Sequence, residues 1–233
     1  MLTKPSRDAL KKIRRRNACE LAALRGATPP EVIGKMNPII RGQANYYRPG
    51  VSKKAYQALD DHLWRHLYKW ARRRHPKKPR RWIVARYFGA YNKSRNDKWV
   101  YGDRDSGAYL HKYAWTPIVR HTPVAGLNSP DDPALTQYWA DRRRKEKPPQ
   151  LAPSWQHALR IQHGQCPLCK QPLLHTDRVP DSPTQWETWY AAIGTAMTHQ
   201  AITEHSSNRT THRLIHAHCA RRHPDTRPED TGQ

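Results

Sequence analysis

Arg41-Gly42-Gln43-Ala44-Asn45-Tyr46-Tyr47-Arg48 lies between two amphipathic helical patterns, and it decides how the first third of this chain is read. Within and ahead of it, Ile33, Met36, Ile40, Ala44 and Tyr47 recur at spacings of 3, 4, 4 and 3, one face of a helix. Thr28 precedes Pro29, which suits a first helical turn, and Pro49-Gly50 closes the segment. Pro38 removes one helical hydrogen bond, so a kink or break is expected near Asn37. Downstream, Tyr56, Leu59, Leu63, Leu67 and Trp70 repeat the same spacing behind Ser52 as N-cap. Upstream, Ser6 caps a helix expected to run to about Arg25, where Gly26 ends it. Its stripe is Leu10, Ile13, Leu21 and Leu24, interrupted by Asn17. Three such stripes bury one another as a small bundle.

The outside of that bundle is cationic. Lys11, Lys12, Arg14, Arg15 and Arg16 are too many for one face of the first helix, and Lys53, Lys54, Arg65, Lys69, Arg72, Arg73 and Arg74 surround the third. The 233 residues carry a formal net charge of +23, a surplus that attracts polyanions, nucleic acid foremost. The surplus is uneven: residues 1–81 hold 22 Lys and Arg against 5 Asp and Glu, residues 82–165 hold 13 against 7, and residues 166–233 hold 7 against 7. Polyanion binding therefore belongs to the first third. Twenty prolines predict long irregular connections. No apolar run is long enough to span a bilayer and no apolar signal core follows the N-terminus, so no membrane partner is expected. Four cysteines, Cys19, Cys166, Cys169 and Cys219, do not suggest a secreted disulfide scaffold, and a reducing, cytoplasmic setting is expected.

The octet and the helices around it resemble the maturase-specific region (domain X, or thumb) of group II intron-encoded proteins, where an Arg-Gly-Trp-x-Asn-Tyr-Tyr segment occupies this place. The likeness extends over about residues 3–81. It implies binding of structured group II intron RNA and assistance to its folding and splicing. Where that family often has Trp, this chain has Gln43, which weakens a local packing or stacking contact without undoing the match. Arg14, Arg15, Arg16, Arg41, Asn45, Tyr46, Arg48, Lys53, Lys54, Arg65, Lys69, Arg72 and Arg73 are the candidate RNA contacts. Tyr47, on the apolar stripe, suits core packing equally. The Tyr-Ala-Asp-Asp segment of a reverse transcriptase does not occur, so the chain is expected to correspond to the C-terminal portion of such a protein and not to polymerise DNA by itself.

In the middle, Lys77-Lys78-Pro79-Arg80-Arg81 is a basic loop, Trp82 to Tyr91 a short helix, and Lys98–Tyr101 with Ala108–Trp115 a candidate hairpin around Asp103 to Gly107. Basic residues interleaved with aromatics suit single-stranded nucleic acid, or simply a small core. Residues 128–153 read as a linker.

Near the C-terminus, Cys166-Pro-Leu-Cys169 is followed 47 residues after Cys169 by His216-Ala217-His218-Cys219. Two close pairs of S and N donors are what a tetrahedral Zn²⁺ needs, and Cys166, Cys169, His216 and Cys219 are the expected ligands, with His218 as alternate. A thioredoxin-like redox reading is weaker, because no βαβ pattern surrounds the Cys-x-x-Cys. The order of these pairs resembles the HNH-type endonuclease module of group II intron proteins. That pattern adds a His base, a Gly-Gly turn, an Asn and a final metal-binding His. Here Ala220 stands at the final His, Thr211 at the Asn, and Glu204-His205 is the remnant of the base motif. His205 would be catalytic, with Mg²⁺ or Mn²⁺, only if nuclease activity survives. Trp186 to about Gln200 reads as a helix inserted between the knuckles.

The expected fold is mainly α with small α+β parts. It comprises a three-helix maturase/thumb bundle (1–81), a short mixed segment acting as accessory nucleic-acid binder (82–127), a linker (128–153), a small zinc-knuckle HNH-like module of ββα-metal type (154–223) and a disordered tail (224–233). The expected function is that of an intron RNA-binding maturase fragment with a degenerate HNH-type module. A metal-dependent DNA-nicking endonuclease acting on target DNA is the enzyme alternative. A truncated frame, completed or not by a separate reverse transcriptase chain, is the third reading.

Overall fold

The computed structural model describes residues 3–92, 94–145, 151, 153–174, 180–204 and 209–222. It is mainly helical, with two small antiparallel sheets. The chain divides into two compact units, residues 1–149 and 150–233.

In unit 1, α1 (Arg7–Ala23), α2 (Pro29–Tyr47) and α3 (Lys53–Arg74) follow the three expected stripes. Ser6 Oγ accepts from Ala9 N–H at 3.1 Å, and Thr28 N–H donates to the Glu31 carboxylate at 2.6 Å, so both helix starts satisfy orphan donors. Ser52 precedes α3 but does not cap it: its hydroxyl donates instead to Tyr47 O at the end of α2. The stripe residues Ile13, Leu21, Ile33, Met36, Ile40, Ala44, Tyr56, Leu59, Leu63, Leu67 and Trp70 are all buried. Val32 and Ile39 join them, because α2 is enclosed on a wider arc than a single stripe. Trp70 Nε1–H donates to Leu24 O at 2.7 Å and binds the end of α3 to the end of α1.

The helix α2 runs unbroken through Pro38. The break expected near Asn37 does not occur, and the Asn37 side chain instead grips a distant segment: its amide donates to Tyr109 O at 3.1 Å and accepts from His111 N–H at 2.7 Å. That segment belongs to the middle of the chain, and the boundary expected at residue 81 falls inside one core. Ile83, Tyr87, Phe88, Tyr101, Leu110 and Tyr113 are buried against the three helices.

Here α4 (Arg80–Tyr87) is shorter than expected, because Phe88–Gly89 already form β1, antiparallel to β2 (Val100–Tyr101). The expected hairpin is reduced to a Gly102–Tyr109 bridge, and Tyr113–Trp115 form a 3-10 turn rather than a strand. Packing explains the change: the turn drives Tyr113 into the bundle, where it is 0% exposed. A Cβ at Gly102 would meet the Tyr91 ring at 2.6 Å, so any larger residue there would displace that ring. The expected linker contains a 3-10 turn (Pro133–Leu135) and α5 (Thr136–Lys145).

In unit 2, α6 (Pro153–Ile161), which the sequence pattern did not suggest, precedes the Cys166–Cys169 loop. Then α7 (Pro183–Ala196), the expected inserted helix, leads into β3 (Met197–Glu204), which pairs antiparallel with β4 (Arg209–His216); α8 (Ala217–Arg222) follows directly. A second core of Leu151, Ala158, Leu173, Trp186, Tyr190, Ile193, Met197, Leu214 and Ile215 holds it. Among the described residues no helix is long and apolar enough to cross a membrane.

Candidate nucleic-acid interface and metal centre

The cationic surface of unit 1 is carried chiefly by α1 and α3, because their apolar stripes face inward and leave Lys and Arg outside. Arg15, Lys53, Lys54, Arg65, Lys69, Arg72 and Arg73 are exposed, and Arg14, Arg16, Arg41 and Arg48 are half-buried. Some of this charge is engaged. Arg65 pairs with Asp61 at 2.7 Å, Arg16 approaches Glu20 at 3.8 Å, and the Lys53 ammonium donates to Ala114 O. Arg72, Arg73 and Arg74 occupy the last turn of α3, where they also complement the negative helix end.

Asn45 corrects one expectation. It is 4% exposed, so its amide packs in the interior and is not presented to a ligand. Tyr46 projects outward at 38% exposed, its ring edge-on to the half-buried Tyr47 at 4.8 Å.

Gln43 is 2% exposed and is not a weakened stacking position. Tyr113 O–H donates to Gln43 Oε1, while Asn17 Nδ2–H donates to the Tyr113 hydroxyl at 2.8 Å. The break in the α1 stripe at Asn17 and the polar residue in the octet are therefore one buried network, completed from 70 residues downstream of Gln43. A polar residue at core spacing in two neighbouring helices was the available signal.

Asp60 is a second junction. Its carboxylate accepts from Tyr113 N–H at 2.8 Å and Ala114 N–H at 2.9 Å. Burial pushes the carboxyl up to about 6, against the pull of those two donors and of Lys112.

In unit 2 the four expected ligands converge. The donor atoms of Cys166, Cys169, His216 and Cys219 all lie within 4.8 Å of one another, near enough for one ion to reach all four. Local geometry explains how. Lys170 takes a left-handed conformation (φ +62°) and its N–H returns to Cys166 O at 2.9 Å, closing the loop that presents both thiols. Gln162 brackets β4, donating to Leu214 O and accepting from Leu214 N–H, each at 2.8 Å, which fixes the strand two residues before His216. His216 Nε2–H donates to Pro172 O at 3.2 Å, leaving the Nδ1 lone pair to face Cys169 Sγ at 3.3 Å and Cys219 Sγ at 4.0 Å. The alternate ligand, His218, is exposed and stacks on His216 outside the cluster.

The sulfurs are not equivalent. Burial opposes ionisation of Cys166, but backbone N–H donors from Cys169, His216 and Leu168 outweigh it and bring the thiol down to about 7. Burial and the neighbouring sulfurs raise Cys219 to about 11. Three sulfurs and one imidazole nitrogen within reach of one point form a Cys3His donor set that suits Zn²⁺. Cys19 stands apart, exposed on α1. His205 and residues 223–233 lie outside the described residues, so the base of the nuclease reading and the tail have no placement.

Residues 7–88 match the family model of the group II intron, maturase-specific domain. Over that span, which covers α1 to α4 and ends at Phe88, the chain is similar to that domain. No curated protein matches the chain.

Proposed function

We propose that this protein binds group II intron RNA through the cationic faces of α1 and α3 and assists the folding and splicing of that RNA. The observation that carries this reading is the maturase-specific match over residues 7–88, the same stretch that holds most of the charge surplus. The protein acts by positioning: Arg and Lys heads neutralise phosphates that approach one another in the folded intron, and the RNA supplies its own bond chemistry. Arg15, Lys69, Arg72 and Arg73 are the favoured phosphate contacts, being exposed and on the helices that frame the bundle. Lys54 and the half-buried Arg14, Arg41 and Arg48 extend the surface.

For unit 2 we propose a zinc-stabilised, degenerate HNH-type module. A hairpin running straight into a short helix, with ligands at the end of β4 and within α8, supports a ββα-metal arrangement. Bound Zn²⁺ would hold the knuckle to that helix, supplying folding energy rather than catalysis. Ala220 stands where the active pattern has its last metal-binding His, so the role proposed for the module is structural. A separate reverse transcriptase chain remains a candidate partner and a cytoplasmic setting is proposed.

The test is affinity for a folded group II intron RNA against duplex DNA of equal phosphate count, across a salt series. The preference for intron RNA should persist as salt rises while both affinities fall, that for duplex DNA by about 0.9 log unit per log unit of salt for each neutralised phosphate. Arg72→Glu with Arg73→Glu should weaken RNA binding and shallow that slope. Equal affinities that collapse together would refute the proposal.

A further inference from the structure

We propose that Trp99, set edge-on against Trp64, is a stacking platform for an unpaired RNA base. The proposal rests on the RNA-binding reading above and names the feature of the RNA that this site takes. Trp99 lies beyond the span matched by the maturase-specific model.

Trp99 is 54% exposed, although it is one of the largest apolar side chains in unit 1. A tryptophan serving only the core would bury that surface. The backbone beneath it is held firmly. Trp99 N–H donates to Asp97 Oδ1 at 3.0 Å, Asp97 is gripped by Lys112 at 2.7 Å, and the next residue, Val100, is 0% exposed in β2. An open ring on an anchored backbone loses little freedom when a ligand stacks on it.

The ring also continues an aromatic row. Trp64 meets it at 6.0 Å and 77°, and Trp64 stacks on Tyr68 at 5.6 Å and 5°, one turn along α3. The Arg80 guanidinium lies over the Tyr68 ring at 5.9 Å.

Charge selects the occupant. Lys98 is exposed and adjoins Trp99 in the chain, and Arg72 is exposed one turn along α3 from Tyr68. The nearby acids are spent, Asp97 on Lys112 and Asp61 on Arg65. An open π-face on a surface that carries Lys98, Arg72 and Arg80 fits a base with its phosphate, whereas an apolar protein partner would have to bury such charges unpaired. The base must be unpaired, because bases within a duplex are already stacked on one another.

The experiment measures affinity of the full chain for an unstructured uridine-rich RNA oligomer, an RNA hairpin of equal phosphate count and a DNA oligomer of the same sequence, at several salt concentrations. Trp99→Ala should weaken binding of the RNA oligomer by about 5- to 150-fold, with its salt slope and the hairpin affinity unchanged. Trp99→Phe should retain most of the affinity, and matching melting curves would establish that both variants fold. Unchanged oligomer binding by Trp99→Ala, or an equal loss on the hairpin, would overturn the platform. Tighter, Trp99-dependent binding of the DNA oligomer would overturn its assignment to RNA. A parent protein that binds folded intron RNA but not the oligomer sinks this proposal alone; one that binds neither sinks the RNA-binding reading too.

Discussion

Tyr113→Phe should be among the most damaging single-oxygen deletions in unit 1. The phenol is fully enclosed, and its hydroxyl serves two buried amides on two different helices: it donates to Gln43 Oε1 and accepts from Asn17 Nδ2. Phe keeps the ring and its packing, so no cavity beyond one oxygen opens. The cost is electrostatic. Gln43, 2% exposed, and Asn17, 1% exposed, are each left with a polar atom that water cannot reach, at about 1–3 kcal/mol apiece. Asn17 Oδ1 already lacks a donor among the described residues, so its amide would have no remaining partner there. A loss of about 3 kcal/mol follows, a large fraction of a domain's stability. Urea unfolding followed by hydrogen exchange in peptides from α1 and α2 would read unit 1 separately from unit 2. Replacing all three partners by Tyr113→Phe, Asn17→Leu and Gln43→Met should recover much of the loss, because no buried polar group is then orphaned. A loss below about 0.5 kcal/mol for Tyr113→Phe, or no recovery in the triple variant, would refute the network as a determinant of stability.

Two further outcomes are expected. The Asp60 carboxyl titrates near 6 in the folded protein, above its ordinary value of 3.8, so its contribution to stability is greatest below about 3.8 and is lost as pH rises through 6. Relative to Asp60→Asn, the parent should lose up to about 3 kcal/mol between pH 4 and pH 7.5, read from urea midpoints; a flat difference would remove the buried-carboxyl account. For the metal centre, the purified chain should carry one Zn²⁺. Chelation should release three reactive thiols beyond the exposed Cys19 and lower the melting temperature of unit 2. His216→Ala should lose the metal while His218→Ala keeps it, and the reverse pattern by elemental analysis would reassign the nitrogen ligand.

Sequence by itself determined the three helices of unit 1, the cap at Ser6, the start of the second helix after Thr28, the basic character of their outer faces and the four residues that converge as a candidate metal site. Those features are local: helical periodicity, capping chemistry and paired Cys and His spacing are written within a few turns of chain. What lies between was decided only by tertiary structure. Residues 82–118 carry weak patterns of their own, and their strands shrink to two residues each because Tyr113, Tyr101 and Leu110 gain more by completing the helical core than by extending a hairpin. The partners of Gln43, Asn17, Asn37 and Asp60 were likewise not written locally, since each lies more than 50 residues away. Polar residues on helices look like surface or interruption until the partner that satisfies them arrives, and in this protein that partner comes from the segment which read as an accessory domain.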